Sequence, residues 1–271
     1  MLGIKDSILR GDWKGDVCVN SENFNSKNKD ISLKLKNLEF RDRDDFGEIK
    51  NLAAAVKVNK NKLDYVMCNG DFINLKAEGN ISYNGIFETI SNAFRIHLPY
   101  SIDSTSIVDE HFRLNINAKH HSLINRFVQI PLKWQNELNV EGFINRNEKL
   151  FALTANVDTL YYGNEQFVDL RLFTQSDIND AKLHLQCEKN ILEVPVRLEL
   201  NTNLSDNKLY SELLWNDFAQ NKYKGEVKMN SNFSMTDNQL QCRTLVVPTS
   251  FLINDKLWTI SNGYIINNGS S

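Results

Sequence analysis

The chain of 271 residues is long enough for one large domain or two ordinary ones, and its 41% hydrophobic content can build a core. A net charge of −3, with Lys and Arg scattered rather than massed, leaves no electrostatic footprint for a polyanion, so no nucleic-acid role is expected. No run of eighteen apolar residues forms a membrane-spanning helix, and the opening MLGIKDSILRGDWKGD lacks a signal-peptide layout; the reading is a cytosolic protein or an excerpt of a longer exported one.

Alternation with a period of two recurs along the chain, and that period is the β-strand period. ISLKLK (31–36) and LAAAVKVN (52–59) are short examples. INLKAEGNISY then sets Ile73, Leu75, Ala77, Gly79, Ile81 and Tyr83 against Asn74, Lys76, Glu78, Asn80 and Ser82. Next, NGIFETISNAFRIHLPY breaks the pattern. Ile86, Ile90, Ala93, Phe94 and His97 fall on one helical stripe, so a helix is predicted over 86–98, ended by Pro99. HFRLNINAKH returns to alternation with Phe112, Leu114, Ile116 and Ala118. HHSLINRFVQIP, with Leu123, Ile124, Phe127 and Val128 ahead of Pro131, predicts a second short helix over 120–129.

From there strands dominate. LFALTANV (150–157) and AKLHLQCE (181–188) precede ILEVPVRLELNTNL, which carries Val194, Val196, Leu198, Leu200 and Leu204 on one parity. Pro195 lacks a ladder donor and predicts an edge strand or a bulge. YKGEVKMNSNFSM (223–235) alternates for thirteen residues, with Val227, Met229, Phe233 and Met235 on the apolar parity. At about 3.3 Å per residue it extends roughly 43 Å, more than twice the usual strand length. About a dozen strands are expected. Their hairpin tips, NKNKL (59–63), NRNEKL (145–150), SDNKL (205–209), TDNQL (236–240) and NDKL (254–257), place Asn or Asp where left-handed backbone is needed.

Residues that could carry chemistry are few. Asp44 and Asp45 sit among Arg41 and Arg43 as an ordinary charged loop, and His120–His121 has no acid or thiol at ligand spacing. The chain contains no GxSxG, HExxH, Walker or GxGxxG motif, so no catalytic residue, metal or cofactor is expected. Cys18, Cys68, Cys187 and Cys242 are widely spaced, and Cys187 and Cys242 share parity with neighbouring leucines, so buried free thiols are expected, with a disulfide as the alternative. The functional question is therefore what covers the apolar parity.

Three covers are open. A β-sandwich covers itself and would be a binding or structural module. An outer-membrane barrel uses lipid, but its strands need only about 9–11 residues and aromatic girdles are not visible here. A long curved sheet could instead line a groove filled by lipid tails.

DDFGEI (44–49), FINLKAEGN (72–80), ISNAFRIHLPY (90–100), LINRFVQIPLKWQNELNVEGFINRNEKLFALTANVDTLYYGNEQF (123–167) and PTSFLINDKLWTISNGYII (248–266) resemble the TamB family as it occurs in Bacteroidota-like envelopes. The resemblance covers most of residues 30 to 266. TamB belongs with the AsmA-like proteins, so the resemblance implies a mainly β, long, twisted, curved antiparallel sheet with a taco-like groove and one or two short helices. It also implies a single elongated segment, 1–271, of a longer non-enzymatic protein of the periplasm or cell envelope. The resemblance further implies that the full-length protein is anchored in the inner membrane, with the anchor expected to lie outside this chain. The groove would carry phospholipid between inner and outer membranes or support outer-membrane protein assembly. The implied partners are phospholipid and an outer-membrane assembly barrel protein. The expected lining is Ile73, Leu75 and Ile81; Phe112, Leu114 and Ile116; Val194, Val196, Leu198 and Leu200; and Val227, Met229, Phe233 and Met235.

Overall fold

The computed structural model describes residues 12–24, 28–42, 45–60, 62–82, 94–99, 110–121, 131–145, 147–236 and 239–267. Among them, thirteen strands follow as an uninterrupted antiparallel meander, each paired with the next. They are β1 (Asp12–Phe24), β2 (Lys29–Asp42), β3 (Asp45–Asn59), β4 (Lys62–Gly70), β5 (Ile73–Ser82), β6 (His111–Lys119) and β7 (Leu132–Asn145). The row continues with β8 (Leu150–Tyr162), β9 (Glu165–Ser176), β10 (Ala181–Ile191), β11 (Val194–Ser205), β12 (Lys208–Asn216) and β13 (Tyr223–Thr236).

Beyond β13 the rows are broken in two. β14 (Gln239–Val246) and β15 (Thr249–Ile253) both pair with β13. β16 (Lys256–Ile260) and β17 (Gly263–Asn267) then pair with β15 and β14 respectively. The whole is one 17-stranded sheet. It is long, twisted, curved and antiparallel, and among the described residues no pairing of β1 with the last strands closes it into a barrel.

Local chemistry explains the turns. Asp206–Asn207 (φ 48° and 62°) and Asn254–Asp255 (φ 52° and 61°) take two left-handed residues in succession, the mirror-image turn that suits strand twist and that short Asx side chains tolerate. Leu192–Glu193 (φ 50° and 67°) makes the same turn without that chemistry, so sequence signals miss it. Pro195 does not mark an edge or a bulge. It pairs with Asn190 in regular register, while β12 reaches β11 only from Arg197 onward. In this hairpin the proline nitrogen faces away from β10, where no strand requires its hydrogen.

The predicted helix at 86–98 is described only from Phe94. Residues 94–95 are helical and 96–99 form a turn. This segment lies across one end of the sheet. The Phe94 ring meets Phe151 edge-on at 5.9 Å, His97 Nε2 lies 3.2 Å from Ser176 Oγ, and the His97 carbonyl accepts the Asn207 N–H at 2.9 Å. The second predicted helix, 120–129, lies outside the described residues except for 120 and 121, which are not helical.

Buried apolar residues gather in local clusters along the two ends of the strands. At one end Val58, Leu63, Phe112, Ile144 and Phe151 pack together under Phe94. At the other, Ala118, Trp134 and Val157 form one cluster, and Val194, Val196 and Tyr223 another. No described cluster joins the first strands to the last, as a second stacked sheet would require. The chain exposes 17659 Å², about half again the roughly 12,000 Å² of a compact protein of this size.

Two positions near β13 fix the local geometry. The Trp215 ring lies over Gly225, donates Nε1–H to Leu252 O at 3.3 Å, and meets Phe251 edge-on at 5.1 Å. A methyl group on Gly225 would stand 2.4 Å from both Phe251 Cβ and the Trp215 ring. Gly225→Ala is therefore expected to cost about 1–3 kcal/mol, read as a lower urea midpoint at unchanged slope.

In the β12–β13 loop the fully buried Asp217 accepts backbone N–H bonds from Gln220, Asn221, Lys222 and Tyr223 at 2.5–2.9 Å. Burial pushes its pKa up, but the four donors together outweigh burial and hold it below the ordinary aspartate value. The unfolded chain thus binds this proton more readily. The carboxylate's contribution is complete above about pH 4 and is lost as pH falls through the depressed folded value. Asp217→Asn should melt below wild type at pH 7, and the gap should narrow as pH drops below about 4.

Candidate functional site

The residues expected as lining fall on one face of the sheet. Strand pairing carries that face from strand to strand through Ile73–Ala118, Leu75–Ile116, Phe112–Ile144, Leu185–Leu200, Leu198–Trp215, Leu213–Val227 and Phe233–Cys242. Ile81 pairs with Leu63, and its side chain lies outside the described residues. Phe112, Val194 and Val196 are buried in the end clusters, whereas Ile73, Leu75, Leu114, Ile116, Leu198, Leu200, Val227, Met229 and Phe233 are half-buried. Met235 is exposed.

The register reveals a feature that periodicity leaves hidden. One transverse row runs Val19–Leu33–Ala54–Cys68–Leu75–Ile116–Val140–Ala155–Leu172–Leu185–Leu200–Leu213–Val227, one residue from each strand β1 to β13. Every residue in it is apolar. None is buried: Val19 and Leu213 are exposed and the other eleven are half-buried. At a strand spacing of about 4.8 Å the row is roughly 58 Å long. Buried clusters at both strand ends flank it, so the middle of the sheet is the wet-accessible part of an otherwise apolar face.

The next row towards Phe94 is mixed. Ile31, Val56, Val66, Ala77 and Leu114 lead into Gly142, Leu153, Thr174, Leu183, Thr202, Ser211 and Met229. Charge on this face is held at its margin. Lys189 pairs with Val196, lies 2.6 Å from Glu165 and sits over the Phe167 ring at 5.4 Å. Its charge is matched before it reaches the band.

The opposite face carries the polar parity. Asn69, Asn74, Asn117, Asn139 and Asn156 stand in register on five successive strands, β4 to β8. Asn117 Nδ2 donates to Asn139 Oδ1 at 2.7 Å, and Asn139 Nδ2 to Asn156 Oδ1 at 3.3 Å. Farther along, Lys228 binds Glu212 at 3.2 Å and also Glu226; their carboxylates push its pKa up. A recess of about 610 Å³ on the β11–β16 part of the sheet combines Leu214, Leu252 and Leu257 with Arg197, Lys224 and Glu226.

Polar and sulfur groups elsewhere serve packing. Ser176 has no exposed surface, so its hydroxyl beside His97 offers a substrate no approach. Burial lowers the His97 pKa. His120 meets Trp134 edge-on at 5.1 Å, and His121 stacks on Phe72 at 4.3 Å. Asp44 lies outside the described residues, as does the side chain of Asp45. All four cysteines are free thiols; burial raises the pKa of Cys68 and Cys187, which makes them poorer nucleophiles. Among the described residues no group of three His, Cys, Asp or Glu side chains is placed to hold a metal, and no helix is long and apolar enough to cross a membrane.

Comparison with protein-family models, curated proteins and solved structures returned no match.

Proposed function

We propose that this chain is a non-enzymatic lipid-carrying segment of a cell-envelope protein, with phospholipid acyl chains lying along the apolar face. The observation that carries this reading is the unbroken apolar row of thirteen side chains, none of them buried. An apolar surface of that length left to water is costly, and contiguous patches of this kind mark binding surfaces. Acyl chains suit it better than a rigid protein partner. The hydrophobic effect is non-directional, so fluid chains can cover a band whose side chains vary from Ala to Leu without shape matching. The bound headgroups would remain at the open side of the curved sheet, in water. Transfer between the inner and outer membranes of an envelope, with an outer-membrane assembly barrel protein as a terminal partner, extends the same reading.

Protein purified from cells without added detergent should carry phospholipid, detected by mass spectrometry after organic extraction. Delipidated protein should take up a fluorescent acyl-chain probe and release it on addition of phospholipid. Lipid-free protein that also fails to bind the probe would overturn the proposal.

A further inference from the structure

The two edges of the sheet differ in a way the lipid reading does not use. Edge strand β1 carries Lys14, Asp16 and Glu22 and has register irregularities at 14/16 and 21/23, the charges and bulges that discourage strand addition. The opposite edge row, β16 with β17, reads KLWTISNGYIIN. It contains no acidic residue, and its one cation, Lys256, stands at the start. Its apolar side chains are exposed on both faces: Leu257 (72%) and Ile266 (62%) on the polar face, Trp258 (54%) and Ile265 (60%) on the apolar face. Lipid on the apolar face leaves Leu257 and Ile266 uncovered.

We propose that this edge is a self-association surface, pairing with the same edge of a second copy about a two-fold axis normal to the sheet. Direction favours like with like. Both β1 and the β16–β17 row run from the Leu192–Glu193 end towards the Phe94 end. A β1 edge stacked in the same orientation would therefore arrive parallel, while the two-fold pairing is antiparallel like the pairings elsewhere in the sheet.

Register favours it too. Setting Leu257 opposite Ile266 of the second copy also sets Trp258 opposite Ile265 and Lys256 opposite Asn267, so the two lysines stay at opposite ends. An axis normal to the sheet preserves faces, so Leu257, Trp258, Ile265 and Ile266 each meet an apolar residue on their own face, and Tyr264 meets Thr259. The apolar faces of both copies then lie on the same side of one larger sheet.

Sedimentation velocity over a concentration series tests this on the full chain. The expected result is a monomer–dimer equilibrium, with Ile266→Lys raising the dissociation constant at least tenfold and Asn20→Lys, on the polar face of the β1 edge and outside the apolar row, leaving it unchanged. Ile266 is exposed, so the variant should keep the wild-type circular dichroism spectrum and melt. A register check uses the double variant Thr259→Cys with Tyr264→Cys, which should form an intermolecular disulfide that neither single variant forms. A monomer at all concentrations, a ladder of species beyond the dimer, or a dimer lost through Asn20→Lys instead would overturn the proposal. Lipid content is measured on the same samples. Dimer without lipid refutes the lipid reading alone, and lipid-loaded monomer refutes this one alone.

Discussion

Replacing Leu200 by Asp should strip the chain of bound lipid while leaving it folded. Leu200 lies in the middle of the apolar row, between Leu185 on one side and Leu213 on the other, and is half-buried. A carboxylate there can stay ionised only by keeping water, which means excluding the acyl chain that would otherwise lie over it. Burying it uncompensated costs several kcal/mol, and each 1.4 kcal/mol is tenfold in an equilibrium constant. The lipid recovered per protein should fall at least tenfold. Because the position already borders solvent, the melting temperature of the delipidated variant should stay within a few degrees of the delipidated wild type. Lipid content equal to wild type would show that the row is not the binding surface. As a matched control, Glu199→Gln, the neighbour on the polar parity, should leave the lipid load intact.

Val196→Asp, four residues earlier on the same strand and the same face, should have the opposite effect. Val196 has no exposed surface and packs with Val194 and Tyr223, against Leu198 and Trp215. A carboxylate at this site has no water, and the ammonium paired across from it, that of Lys189, is already engaged by Glu165. The expected loss is on the order of 4 kcal/mol, a large fraction of the ~5–15 kcal/mol that typically holds a domain together. At ~2–4 °C per kcal/mol for a chain of this size class, the melting temperature should drop by roughly 10 °C or more. Thermal melts of the two variants side by side separate packed core from accessible lining. Equal destabilisation by both would mean that the band is covered by protein rather than open.

How far such behaviour was legible in the residues varies along the chain. The period-two runs at 73–83, 112–118, 194–204 and 223–235 each fell inside an observed strand or overlapped most of it, because alternation is a local consequence of strand geometry. The Asx turns at 206–207 and 254–255 were legible for the same reason: the side chain and the backbone it serves are adjacent. The turn at Leu192–Glu193 carried no such mark and is imposed by the pairing of β10 with β11. Pro195 pointed to an edge because sequence reveals a missing donor but not whether a neighbouring strand extends far enough to need it.

The amino-acid sequence by itself determined that the chain is β, that one parity is apolar and the other polar, and that Asn and Asp close many of the hairpins. These follow from interactions between residues a few positions apart. Only the tertiary structure decided which apolar residues share a row, because a single-residue slip between any two strands would send the next strand's apolar set to the other face. It also decided which residues of that face are core and which are lining. Val196 and Leu200 have the same parity and similar chemistry, and they differ because one sits near the end of the sheet, under Tyr223 and Trp215, while the other sits mid-strand, half-buried and outside every buried cluster of the described residues. The five asparagines from Asn69 to Asn156 likewise became one row, hydrogen-bonded from Asn117 through Asn139 to Asn156, only once five strands were set in register, since no local rule brings together side chains that lie up to 87 residues apart.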